Sequence, residues 1–225
     1  MADVSLWLAI QAVEDRRLLA DAPSPLPVSD RELVLRLLAR QIDAGKERGA
    51  FDLRPEQGET IRLYTGERLR TKLAIRNVSS IEAAHALLAL DPKSPDVTAA
   101  VRRTAEWLQC TCFALRHCVI GECAHSFASY LRFLQLHSPS EHDIARRLQV
   151  LRELRDGNGR WQRLPFYYTV LALADLPMEA ARSELRYALP ALERVRNRCK
   201  KNGMYEVRQK RLVERVFSLA DQRLL

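Results

Sequence analysis

The densest run of side chains able to do chemistry lies between residues 110 and 125, where Cys110, Cys112, Cys118, Cys123 and His125 fall within 16 positions. Thiolates and an imidazole at that density are the donors of a structural Zn2+ site. Spacing argues the other way. The apolar stripe of the preceding segment continues past Leu108 through Cys112, Leu115 and Val119 at intervals of four, three and four, which predicts a helix to about residue 119. On such a helix Cys110 and Cys112 point to different faces and cannot share an ion. Cys112 is then a small core residue, as unpaired cysteine commonly is. The usual C-x-x-C pair is also missing. The expectation is no metal and no cofactor, with those five residues as the alternative zinc set.

A second group, His85, His125, Tyr130, Tyr167 and Tyr168, falls on the most apolar segments of the chain. Around an enclosed cavity these side chains suit an apolar small molecule. Packed against one another they simply fill a core, and a histidine there is hydrogen-bonded structure. A third group is basic. Lys plus Arg exceeds Asp plus Glu by eight over the whole chain, yet Arg194 to Arg215 alone holds nine basic and two acidic residues. The surplus is local. Arg208, Arg211 and Arg215 recur at i, i+3 and i+7, opposite Val213, Val216, Phe217 and Ala220. With Lys200 and Lys201 they are the anion-binding candidates for an acidic protein, nucleic acid phosphate or an anionic surface. The alternative is a solvated helix face. Neither a Gly-rich phosphate loop nor a G-x-S-x-G elbow is present.

These residues need elements to position them. With 225 residues, 47% apolar and 28% charged, the chain has globular composition. No apolar run approaches the roughly 18 to 20 residues that span a bilayer, so no membrane insertion is expected. The start carries Asp3 and no Lys or Arg before Arg16, unlike a secretory leader. With an odd cysteine count, this predicts reduced thiols and a cytoplasmic location.

Helical periodicity runs nearly throughout. Residues 3 to 20 form a helix with Val4, Trp7 and Leu8 inward, followed by a linker with Pro23, Pro25 and Pro27. Ser29 and Glu32 have capping-box spacing before Leu33, Val34, Leu37, Leu38 and Ile42. Phe51 and Leu53, then Ile61 and Leu63, alternate around Pro55 and Gly58 and predict a short hairpin. From Ser79 onward two kinds of helix take turns. Ile81–Leu90, about 125–136 and 165–176 are apolar all round, whereas the segments after them carry one apolar stripe each. Ser94-Pro95 and Ser138-Pro139 mark helix starts. The repeat period, in the low forties, suits paired helices. Helices greasy on all sides belong inside, and this favours an inner layer wrapped by an outer one over a HEAT-like α-solenoid.

Asp156-Gly157-Asn158-Gly159-Arg160-Trp161, then Pro165-Phe166-Tyr167-Tyr168-Thr169 and Leu171-Ala172-Leu173, resembles the repeat of terpenoid cyclases and protein prenyltransferase β subunits. That repeat has an outer helix, a Gly-rich turn ending in an aromatic, and an inner helix. The match covers residues 156–176 and is faint at 79–123. The resemblance implies an α/α toroid, here only an arc of one, since the family barrel has about six helix pairs and this chain supplies perhaps four. It implies no catalytic residue. The acid-initiating DxDD, the diphosphate-binding DDxxD and the zinc-holding Asp-x-Cys of that family are all missing.

The expected fold is all-α: an amino-terminal helix and Pro-rich linker over 1–28, then a helical-repeat domain over 29–225 forming a partial toroid. The expected function is a non-catalytic binding module for a protein partner or apolar molecule, with self-association as a further option. The alternatives are a divergent enzyme or carrier for an isoprenoid, and a HEAT-like nucleic-acid binder.

Overall fold

The computed structural model describes residues 5–19, 28–53, 60–137, 141–196 and 203–221. Among them the chain is all-α, with no strands: α1 (Leu6–Leu18), α2 (Asp30–Leu38), α3 (Lys72–Leu90), α4 (Pro95–Leu108), α5 (Cys112–Leu115), α6 (Cys123–His137), α7 (Glu141–Glu153), α8 (Phe166–Ala174), α9 (Glu179–Arg196) and α10 (Met204–Asp221). Helix starts follow local chemistry. Ser29, Thr71 and Ser94 each accept a hydrogen bond from the backbone N–H three residues on, and Pro95 occupies the first turn of α4. Ser138-Pro139 lies outside the described residues.

The two kinds of helix differ in burial as their patterns require. Every residue from Asn77 to Leu87 of α3 and from Ser126 to Leu134 of α6 is buried, and α8 is buried except at Tyr167. Helices α4, α7 and α9 bury one face each, through residues such as Val97, Val101 and Leu108, Ile144 and Leu148, and Leu185 and Leu192. Helix α3 packs on α6 and α6 on α8, while α4 covers α3, α7 covers α6 and α9 covers α8. No helix among the described residues is long and apolar enough to cross a membrane.

Four local expectations are corrected. The amino-terminal helix α1 packs on α3 and α10 and sends Trp7, Ile10 and Val13 into the common core, but Leu8, expected inward, is exposed. Pro23, Pro25 and Pro27 lie outside the described residues. Helix α2 stops at Leu38, and Gln41 instead makes an isolated bridge to Phe51. The hairpin is displaced: Arg62 bridges Arg68 around a turn closed by Gly66 at φ +103°, so Ile61 and Leu63 pair with the chain after them. Finally, α4 ends at Leu108. The chain turns at Cys110 and Thr111, whose hydroxyl donates to the Leu108 carbonyl, before the short α5 begins.

Candidate functional site

The tyrosines and histidines of the inner helices do not face one open space. Tyr130 is buried between Phe113, 5.7 Å away edge-on, and Phe133, with the Arg147 guanidinium 4.6 Å over its ring. Tyr167 lies against Phe166 and is half-buried. His125 is also half-buried, on the first turn of α6. His85 and Tyr168 do meet a shared feature, a buried charged cluster.

At its centre is Arg132 of α6, 1% exposed. Its guanidinium lies 2.9 Å from Glu14 of α1, 2.9 Å from Asp175 just past α8, and 3.5 Å from Glu82 of α3. It also donates to the Tyr168 hydroxyl at 3.1 Å, and that hydroxyl donates to Glu82. Arg17 bridges Glu14 and Asp175, both at 2.6 Å, and Arg215 of α10 reaches Asp175 at 3.0 Å. Three guanidiniums thus face three carboxylates, and each charge taken out of water is met by an opposite one.

The titration directions follow from this packing. Burial favours the neutral form of Glu14 and Asp175, but Arg132 and Arg17 outweigh it and hold both carboxyls below their ordinary range. For Glu82 burial wins over Arg132, and its carboxyl is pushed up. Burial, assisted by Glu82, pushes the Tyr168 phenol well up. Burial and then Arg132 push His85 down to about 3, so it is neutral at pH 7. Of this cluster the sequence reading singled out His85, Tyr168 and Arg215. It missed Glu14, Arg17, Glu82, Arg132 and Asp175, although three of them leave a signal: Glu82, Arg132 and Asp175 are lone charges stranded within apolar runs.

The basic stripe of α10 is divided, with Arg208 buried and Arg211 and Arg215 at the surface. Arg208 is 2% exposed and forks onto Asp15 at 2.7 and 2.8 Å, with Gln11 accepting at 2.7 Å and Tyr64 stacked 4.3 Å away. It shares the buried face of Leu212 and Val216, one helical turn apart in each case. The expectation that Arg208 faces an external anion is therefore overturned: a buried aspartate already occupies its fork. Arg215 is directed at Asp175 and the Ala174 carbonyl, and Arg211 pairs with Glu214. Lys200 and Lys201 lie outside the described residues.

The cysteines behave differently from the sequence expectation. Because α4 ends at Leu108, Cys112 leaves the core and is exposed, and it is Phe113 that is buried. The loop then folds back so that the sulfurs of Cys112, Cys118 and Cys123 all lie within 4.8 Å of one another, with 3.5 Å between Cys112 Sγ and Cys123 Sγ. Cys110 and His125 stand outside this group, and Cys110 Sγ faces the Glu106 carbonyl at 3.9 Å. Cys199 lies outside the described residues. Arg147 of α7, 2% exposed, donates to the carbonyls of Phe113 at 2.8 Å and Ala114 at 2.7 Å. Glu122 accepts from the backbone N–H groups of Arg70 and Thr71 at 3.0 and 2.8 Å, tying the loop to the start of α3. Leu115 and Ile120 of the loop nevertheless stand 66% and 71% exposed.

The turn that carries the family resemblance is built as its residues suggest. Asp156 accepts from the backbone N–H groups of Asn158 and Arg160 at 2.7 and 3.0 Å, and Gly157 and Gly159 take φ +80° and +86°. Trp161 is buried against Phe166 and Tyr187, donating through Nε1 to Glu184 at 3.0 Å. A cleft of about 570 Å3 lies elsewhere, outside α3, where Ile42, Phe51, Leu53, Ile75 and Arg76 line it. Compared with protein-family models, with curated proteins and with solved structures, the chain matches none.

Proposed function

We propose that this chain is a non-catalytic binding module, an arc of alternating inner and outer helices that engages a protein partner on its outside. The observation that carries this reading is the filling of its centre. Where a toroid of the prenyltransferase and terpenoid-cyclase type would line a pocket with inner-helix side chains, Tyr168 and Arg132 are 0% and 1% exposed. Their polar atoms are directed at Glu82, Glu14 and Asp175. A guanidinium already matched by three carboxylates has little to offer a diphosphate. Arg208 and Arg215 are likewise engaged within the molecule, by Asp15 and Asp175, which favours the binding-module reading over a nucleic-acid one.

The outward feature that suits a partner is the cysteine loop. Leu115 and Ile120 are more exposed than Leu8, Leu35, Leu73 or Leu136, the other large exposed aliphatic side chains of α1–α3 and α6. They are displayed on backbone held by Arg147 and Glu122. A fixed backbone lowers the ordering cost of docking apolar side chains. The test compares the proteins co-purified from the native cell by the wild-type chain and by Leu115→Glu/Ile120→Glu. A stoichiometric partner kept by the wild type and lost by the variant is expected, with the melting temperatures within about 2 °C because both positions face solvent. Retention of the same partners by the variant would overturn the assignment.

A further inference from the structure

The geometry points to a metal site on the outer loop: Cys112, Cys118 and Cys123 together bind one Zn2+ as thiolates. This stands apart from the binding reading, because metal uptake is read without any partner. It also differs from anything the family resemblance implies, since no Asp-x-Cys pair takes part.

Convergence comes first. A tetrahedral Zn2+ with Zn–S bonds of about 2.3 Å sets its sulfurs about 3.8 Å apart. The three sulfurs here lie within 4.8 Å of one another, and Cys112 and Cys123 are at 3.5 Å. They come from three separate pieces of backbone: the first residue of α5, the irregular stretch after it, and the first residue of α6. Helical periodicity does not bring such pieces together, so the chain has spent a turn, a four-residue helix and a left-handed His117 at φ +51° on doing so.

The loop is also braced from outside the cluster. Arg147 holds the α5 carbonyls, Phe113 anchors in the core, Glu122 ties the far end to α3, and the Cys118 N–H donates to the Cys112 carbonyl at 3.4 Å. A ligand set held in advance by its neighbours needs little rearrangement to bind.

Electrostatics favour a cation at the same point. The Ile120 N–H donates to the Cys118 sulfur. Three thiols in mutual contact cannot all ionise unless a positive charge sits among them. Zn2+ supplies it: three S–H bonds give up their protons to solvent and three Zn–S bonds form, with no change of oxidation state. Soft thiolate donors select Zn2+ over Mg2+ or Ca2+. With Cys112 exposed, the fourth position faces solvent and takes a water molecule.

The experiment uses the full chain, reduced with a phosphine under nitrogen, stripped with a chelator and titrated with Co2+ and then Zn2+. One equivalent of Co2+ is expected, giving thiolate charge-transfer and tetrahedral ligand-field absorption that Zn2+ abolishes. Cys112→Ser, Cys118→Ser and Cys123→Ser should each weaken binding by tenfold or more, whereas Cys110→Ser and Cys199→Ser should leave it unchanged. Zinc should also raise the melting temperature of the wild-type chain over the stripped form, a readout independent of whether a serine variant folds. Absence of saturable Co2+ absorption, or a zinc-free melting temperature equal to the zinc-loaded one, would overturn the site. Equal loss in Cys110→Ser would overturn the assignment to these three residues.

Discussion

Burial and the neighbouring Arg132 keep the His85 imidazole neutral down to about pH 3, whereas the same residue in the unfolded chain takes a proton near pH 6.5. Its folded pKa is the lower one, so the unfolded state binds the extra proton and stability is lost as pH falls below about 6.5. The limiting slope is about 1.4 kcal/mol per pH unit for one proton. Asp175 and Glu14, held below their ordinary range by Arg132 and Arg17, act lower down, since their stabilisation is lost only as pH drops through the usual carboxylate range near 4. Urea midpoints at pH 7.5, 6.5 and 5.5 should therefore fall with pH, and His85→Gln should flatten that fall. An equal slope in His85→Gln would show that the imidazole is not held neutral. The groups facing it are Arg132, Glu14, Arg17 and Asp175, and a charged imidazole would strain the balance of that cluster.

At the scale of elements, the turn from Asp156 to Trp161 offers a controlled comparison. Gly157 and Gly159 both take positive φ, so alanine at either should cost about 1 to 2 kcal/mol in backbone strain. A Cβ on Gly157 meets nothing within 4 Å, whereas one on Gly159 would lie 3.1 Å from the Ala191 Cβ and 3.2 Å from the Tyr187 carbonyl oxygen of α9. Gly159→Ala should therefore lower the melting temperature more than Gly157→Ala. Equal shifts would mean that α9 gives way at no cost. This turn was legible because its determinants are local: an acceptor, two glycines and an aromatic in sequence order. The Ser29 and Ser94 caps and the contrast between greasy and one-faced helices were legible for the same reason. What failed was continuity. The stripe from Leu108 through Cys112 to Val119 fits a helix, but Arg147 of α7, and the Arg70 and Thr71 backbone that Glu122 of the loop grips, stabilise a fold-back that local periodicity does not encode. That one break changed the reading of the cysteines from a core residue among bystanders to three converging sulfurs.

For the molecule as a whole, five helices send charge to one place. Arg132 from α6 faces Glu14 of α1, Glu82 of α3 and Asp175 at the end of α8, and Arg215 of α10 closes the set. Partners so far apart in the chain cannot be paired from one sequence, although a lone charge within each apolar run announces that some partner must exist. The same clustering fills the space between α1, α3, α6 and the end of α8 with paired charge. The most direct measurement is equilibrium urea unfolding of Arg132→Met beside the wild type. If the cluster is a closed structural junction, Met fills the volume but takes the guanidinium from Glu82 and leaves Glu14 and Asp175 to Arg17 and Arg215 alone, and the variant should lose about 3 to 5 kcal/mol. Unchanged or increased stability, as follows when a residue is kept strained for ligand or catalysis, would contradict a filled centre and the outward-facing function built on it.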